Sequence, residues 1–125
     1  MKHPEDNECK WLWQWASTQR VVKDHLFHVP NGGNRNPREA ARLKRQGVRP
    51  GVSDYMLPVA RGAYHGLWIE MKPPAPASFS VSKAQRDWIK QMLDQGYYAS
   101  ISVGWVAASR LIEEYMQLGE GEKIG

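Results

Sequence analysis

Gly66-Leu67-Trp68-Ile69-Glu70-Met71-Lys72 is an apolar, partly β-branched run with turn residues on both sides, and it reads as a strand. Side chains alternate along a strand, so Glu70 and Lys72 share one face while Ile69 and Met71 share the other. A carboxylate and an ammonium on an otherwise apolar strand are costly to bury unless they have partners or a task. Asp54 lies on the preceding apolar run, Val52 to Val59, which can pair with the first as a hairpin around Arg61-Gly62-Ala63. Two carboxylates and a lysine then converge at one end of a two-stranded ribbon, an arrangement suited to a divalent metal and a phosphodiester. The plain alternative is that Asp54 begins a turn and that Glu70 and Lys72 form a surface pair on an edge strand. Glu-x-Lys alone, being short and common, does not separate the two.

Outward from the hairpin, helices and strands alternate. Glu5 to Gln19 reads as a helix with Trp11, Leu12 and Trp15 on its packing face. His25 to Val29 reads as a short strand, stopped by Pro30-Asn31-Gly32-Gly33. Asn36-Pro37-Arg38-Glu39 is a helix start with an N-cap, a proline at the first helical position and a glutamate three residues past the cap. That helix runs to about Gln46 and ends at Gly47. Pro73-Pro74-Ala75-Pro76 prevents continuation of the central strand. Ser82-Lys83-Ala84-Gln85 is a capping-box pattern, opening a helix that reaches Gln95 and stops at Gly96. Tyr97 to Val103 alternates like a strand with one buried face, and Ala107 to Leu118 is a final amphipathic helix. The order predicts one mixed α/β domain with a central sheet covered by helices.

Phosphodiester hydrolysis needs a positioned water, neutralised phosphate charge and help for the departing oxygen. Mg²⁺ or Mn²⁺ on hard oxygen ligands can provide all three. Asp54 and Glu70 can supply carboxylates, and the Met71 carbonyl between Glu70 and Lys72 is a further oxygen. Lys72 can orient or help deprotonate the water, or stabilise the transition state. Gln85 has two compatible readings: it completes the cap with Ser82, or reaches from the helix start towards the water or phosphate near Lys72. His28, Asn31, Gly32 and Gly33 bring polar groups and free amides into a bend that can approach a phosphate, although Asn-Gly is also a common turn dipeptide. A zinc pair from His25 and His28 lacks further ligands of the right kind. Of the six tryptophans, most have core spacing, and Trp13 lies off the main stripe as the best exposed candidate.

At 125 residues the chain can bury one core but not two. The polar start is no signal peptide, and no apolar run approaches the roughly 18 residues of a membrane span. Cys9 is the single cysteine, which excludes an internal disulfide and fits a reducing cytoplasm. The net charge of +4 at pH 7 is unevenly distributed. Between Arg20 and Arg49 there are eight basic residues against Asp24 and Glu39, whereas the tail after Leu111 is acidic. Arg35, Arg38, Arg42, Lys44, Arg45 and Arg49 are therefore the candidates for a surface that meets a polyanion such as DNA, the plain alternative being a solvated helix face.

Five pieces, in this order and spacing, resemble the VRR-NUC family. They are His28-Val29-Pro30-Asn31-Gly32-Gly33-Asn34-Arg35, Leu43-Lys44-Arg45-Gln46-Gly47-Val48-Arg49-Pro50-Gly51-Val52-Ser53-Asp54, Tyr64-His65-Gly66-Leu67-Trp68-Ile69-Glu70-Met71-Lys72, Ser82-Lys83-Ala84-Gln85 and Gln95-Gly96-Tyr97. The resemblance runs from about Glu5 to Tyr115 and is to the small stand-alone, phage-type members. It implies the PD-(D/E)XK, restriction-endonuclease-like fold in a single domain over residues 1–125, with its core at about 5–118. It further implies that Asp54 and Glu70 are the metal-binding acids, that Lys72 is the motif lysine and that Gln85 is the helix glutamine. An acidic residue on the first helix would complete the metal site, Glu5 by its distance from Trp15-Ala16, with Glu8 as fallback. Ser53 departs from the usual proline before the aspartate, a position that stiffens the approach and supplies no ligand. The implied activity is a Mg²⁺- or Mn²⁺-dependent DNA endonuclease, acting as a homodimer on branched DNA such as Holliday junctions, in a bacterial cytoplasm and without a small-molecule cofactor. The alternatives are a non-catalytic nucleic-acid-binding or scaffolding domain on the same fold, or a nuclease indifferent to branching.

Overall fold

The computed structural model describes residues 4–30 and 36–125. Pro4 opens α1 (Pro4–Ala16), where a missing N–H is no loss, and Glu5 and Asp6 complement the helix dipole in the first turn. The helix stops at Ala16, short of the expected Gln19. Ser17 and Thr18 end it, their hydroxyls donating to the Trp13 and Trp15 carbonyls at 2.8 and 2.7 Å. The buried stripe of α1 is Glu8, Leu12 and Ala16, at four-residue spacing. Trp11, expected on the packing face, is consequently turned outward and is 44% exposed, much like Trp13 at 45%.

The strand expected over His25–Val29 begins instead as a short helix, α2 (Val22–His25), and only Phe27–His28 forms β1. The buried side chains here, Val22 and Leu26, are four apart, which is a helical and not a strand spacing. The Leu26 N–H closes that turn on the Val22 carbonyl at 2.9 Å. Beyond it, α3 (Pro37–Arg45) starts as its sequence predicts, with Asn36 Oδ1 accepting the Glu39 N–H at 2.7 Å. It buries none of its residues.

The hairpin forms: β2 (Tyr55–Leu57) runs antiparallel to β3 (Leu67–Lys72), with Tyr55 opposite Ile69 and Leu57 opposite Leu67. Arg61 and Tyr64 bridge its turn around Gly62, whose φ is +57°. β2 is shorter than the apolar run from Val52 to Val59, because Pro58 has no N–H to offer a ladder. The capping box then starts α4 (Lys83–Asp94), which crosses to β4 (Tyr98–Val103), parallel to β3. Gly104, at φ +85°, turns the chain straight into α5 (Trp105–Met116), two residues ahead of the expected Ala107.

The sheet order is β1-β2-β3-β4, so β3 is a central strand. Helices α1 and α5 pack on each other and on one face of the sheet, where Leu12, Ile69, Met71, Ile112 and Tyr115 are fully buried. Each such side chain contributes roughly 1.5–3 kcal/mol by leaving water. Helix α4 covers the other face, where Trp68 meets Trp88 edge-on with ring centroids 5.3 Å apart. The C-terminal tail is tied to the hairpin turn, Ala63 N–H donating to the Glu122 carbonyl at 2.9 Å and Ile124 N–H to the Tyr64 hydroxyl at 3.2 Å. Among the described residues, no helix is long and apolar enough to cross a membrane.

Candidate active site

Alternation along β3 puts Ile69 and Met71 in the core and turns Glu70 and Lys72 towards α4, as the sequence implies. Both charged side chains are buried, at 3% and 6% residue exposure, which removes the reading of a surface pair on an edge strand. Asp54 stands one residue ahead of β2, also buried, and its Oδ2 accepts the Met71 N–H at 2.7 Å. Its carbonyl accepts the Val29 N–H at 2.7 Å, which anchors the approach to β2 against the end of β1.

The carbonyls of Gly66 and Lys72 both accept N–H groups from the β4 side, those of Tyr98 and Gly104. By alternation, the backbone groups of Met71 face the other way, towards Asp54. The Met71 carbonyl therefore lies on the Asp54 side of β3.

Gln85 realises both of its readings at once. Its Oε1 accepts the Ser82 N–H at 3.0 Å while Ser82 Oγ accepts the Gln85 N–H at 3.1 Å, which completes the capping box. The same Oε1 accepts from Lys72 Nζ at 3.0 Å, and Nε2 donates to Glu70 Oε2 at 3.1 Å. Lys72 Nζ lies 3.6 Å from Glu70 Oε2. One amide thus presents its oxygen to the ammonium and its nitrogen to the carboxylate.

Glu5, from the first turn of α1, joins Asp54 and Glu70, with one carboxylate oxygen of each within 4.8 Å of the others. Glu8 does not join them. Its Oε1 accepts the Trp105 N–H at 2.8 Å, at the start of α5. Burial raises the pKa of Asp54, opposed by the Met71 N–H and by His28. Burial and then the charge of Asp54 raise Glu70, and the same two causes in that order raise Glu5. The three carboxylates thus resist carrying full negative charge together, while their hard oxygens and a neighbouring peptide carbonyl are the donor set that Mg²⁺ or Mn²⁺ prefers. These residues fit a divalent cation. Beside the acids, burial and then the charge of Asp54 push the Cys9 thiol up to about 12, so without a metal it is protonated at neutral pH.

Asp54 and Glu70 open onto a cleft of about 400 Å³ between Pro50-Gly51-Val52 on one wall and Ser82, Ala84 and Gln85 on the other. Gly51 is at φ +82°, and a Cβ built there would collide with the backbone carbonyl of Ala84. Only glycine fits this wall.

His28 is exposed on β1, opposite Tyr55 with rings 5.0 Å apart, and close enough to influence Asp54. Arg38, Arg42, Lys44, Arg45 and Arg49 are all exposed, with Arg42 paired to Glu39 at 2.8 Å. Asn31, Gly32, Gly33 and Arg35 lie outside the described residues.

Across 100% of this chain and 99% of the other, the structure matches a solved structure described as a VRR_NUC domain protein, at 30% sequence identity and a TM-score of 0.83. The chain belongs to the VRR-NUC family. No protein-family model and no curated protein matches the sequence. The mixed four-stranded sheet flanked by helices is the PD-(D/E)XK-like fold of a nuclease-type domain. Within this VRR-NUC chain, Ser53 is fully buried and its Oγ has no hydrogen-bond partner among the described residues. Two residues near the site escaped sequence reasoning in their present roles. Glu8 is an anchor for α5, and the signal was a helix whose N-terminal residue, Gly104, has no side chain to cap it. Gly51 is a wall of the cleft, and the signal was the Pro-Gly pair ahead of Asp54.

Proposed function

We propose that the chain is a Mg²⁺- or Mn²⁺-dependent DNA endonuclease, one domain over residues 1–125, that hydrolyses phosphodiester bonds and prefers branched DNA such as four-way junctions. The observation that carries this reading is the meeting of Glu5 from α1, Asp54 from the approach to β2 and Glu70 from β3, with Asp54 and Glu70 lining one cleft together with Gln85, whose amide oxygen holds Lys72. Asp54, Glu70, Glu5 and the Met71 carbonyl would hold the cation. Once bound, it would neutralise phosphate charge, acidify the attacking water and stabilise the departing oxygen.

The protein's own groups have distinct tasks in this reading. Asp54 is steadied by the Met71 N–H and faces the Glu70 carboxyl within hydrogen-bond reach, a pairing that a cation between the two would replace. Gln85 fixes Lys72 and Glu70 relative to each other, leaving the remaining ammonium protons to orient the attacking water or to meet charge building on the phosphate. Water attacks phosphorus, the bridging P–O bond breaks, and the departing oxygen takes a proton from solvent or a neighbouring donor. His28, the basic residues Arg38, Arg42, Lys44 and Arg45 of α3, and Arg49 beyond it would bind the phosphate backbone; Asn31, Gly32, Gly33 and Arg35, outside the described residues, are the other candidates for that contact. Recognition would rest on phosphates and shape, contacts that position a protein on DNA without reading base edges. A homodimer, with exposed Trp11 and Trp13 available for contact, would match the two-fold symmetry of a junction.

The test uses a labelled four-way junction and a matched linear duplex with Mg²⁺ or Mn²⁺. Wild type is expected to cut the junction in preference, and Asp54→Ala and Lys72→Ala to lose at least about a hundredfold in rate. Binding without cutting by the wild type would instead identify a scaffolding domain. Equal cutting of both substrates would remove the branch preference, and cutting that survives both substitutions would remove this site.

A further inference from the structure

Helix α5 begins without a cap of its own. Gly104 has no side chain, and at φ +85° it turns the chain so that the next N–H, that of Trp105, faces α1. The first N–H groups of a helix lack intrahelical partners and carry its positive dipole end. Glu8 supplies the missing acceptor from 97 residues away, with its carboxylate 2.8 Å from the Trp105 nitrogen and its side chain buried. The Gly104 N–H donates in turn to the Lys72 carbonyl at 2.9 Å. Three elements that bear on the carboxylate site are therefore joined at Gly104-Trp105: β3 with Glu70 and Lys72, the start of α5, and α1 one turn after Glu5.

We propose that Glu8 is a positioning residue for the Glu5–Asp54–Glu70 site, fixing where Glu5 stands by tying the second turn of α1 to the N-terminus of α5. Glu5 rides on the first turn of α1, begun by Pro4, and among the described residues the pairing of Glu8 with Trp105 is a polar tie three residues from it. The Tyr55 hydroxyl also donates to the Cys9 carbonyl at 3.2 Å, one residue further along; without the Glu8 tie, the turn that precedes this bond can fray and carry the Glu5 carboxylate away from the other two. The inference rests on the reading of those three carboxylates as a divalent-cation site.

Isothermal titration of Mn²⁺ into the full chain tests it, with melting temperatures recorded alongside. Glu8→Ala is expected to weaken Mn²⁺ about tenfold, as loss of a residue supporting a ligand does, while Glu8→Gln, whose amide oxygen can still accept, stays within about threefold. In a Glu5→Ala background the same Glu8→Ala change should alter affinity less than about twofold, because the ligand it positions is gone. If Glu8→Ala does not fold, Glu8→Asp keeps the charge but shortens the reach, and it is read in the same way. Affinity within twofold of wild type in both Glu8→Ala and Glu8→Asp would overturn the inference, as would an equal loss with and without Glu5. A Gln variant as weak as the Ala variant would show action through charge alone and overturn the tie. Mn²⁺ binding abolished by Asp54→Ala but indifferent to Glu8 would leave the metal site standing and remove only this inference. No Mn²⁺ binding by the wild type would remove both.

Discussion

Gln85 joins a helix terminus to a charged pair through a single amide. Its oxygen is shared between the Ser82 N–H and the Lys72 ammonium, and its nitrogen serves Glu70. Loss of the cap costs about 1 kcal/mol, but loss of the bridge also frees two buried charges to move. Ser53 is the opposite case, a fully buried hydroxyl with no partner among the described residues. A buried polar group left unpaired is destabilising, so Ser53→Ala is expected to raise the unfolding free energy by about 1 kcal/mol in urea denaturation. A loss of stability would mean that the hydroxyl has a partner after all. At this scale the sequence was informative wherever period two governs. The burial of Ile69 and Met71 against Glu70 and Lys72 follows from alternation alone. It was silent where a hydrogen bond joins distant residues, because nothing local to Glu8 announces Trp105, and the orientation of Trp11 depends on which stripe of α1 meets α5.

Among the elements, α3 and the start of α4, which walls the cleft opposite Pro50-Gly51-Val52, are under different kinds of restraint. Helix α3 buries no residue, and among the described residues the ion pair its basic side chains make is the exposed one of Arg42 with Glu39. Replacing Arg38 and Arg45 by alanine should leave the melting temperature unchanged and lower the slope of log affinity against log salt by about one for each phosphate no longer neutralised. An unchanged slope in a binding titration on junction DNA would show that this face meets solvent only. The wall at Gly51 has no such freedom. Its positive φ and the Ala84 backbone together exclude a side chain, so Gly51→Ala is expected to destabilise by about 1–3 kcal/mol and to slow cleavage by prising the two walls apart. Unaltered denaturation and cleavage curves would show that the wall yields. Helix starts were the most legible elements: Asn36-Pro37 and Ser82 to Gln85 carry their caps within four residues. The strand expected over His25–Val29 is cut to two residues because Val22 and Leu26 take up a helical spacing that ends just before the extended residues begin.

For the whole molecule, the carboxylate site links stability to pH and to metal. Glu5, Asp54 and Glu70 all have pKa values raised from their ordinary ones, first by burial, and Glu70 is raised to about 8. Between the ordinary and the raised values, the folded state binds more protons than the unfolded state. Stability of the metal-free protein therefore falls as pH rises through this window, and the contribution is fully present only below it. In EDTA the melting temperature should drop from pH 5 to pH 8, and Mn²⁺ should restore more of it at pH 8 than at pH 5. A melting temperature that rises with pH in EDTA, with no larger Mn²⁺ effect at pH 8, would show that these acids are not under mutual strain.

The pairing of α1 with α5 also sets a schedule. Glu5 leaves the ribosome long before the backbone group that anchors its helix, which arrives 97 positions after Glu8. A growing chain can already contain Asp54, Glu70, Lys72 and Gln85 and still lack the surface against which α1 docks. Cutting competence should thus appear only once α5 has emerged, which would spare nucleic acid close to the translating ribosome from a half-made nuclease. A chain released after Val103 is expected to bind no Mn²⁺ in titration, and tight binding by that fragment would show that the first helix finds its seat without the last.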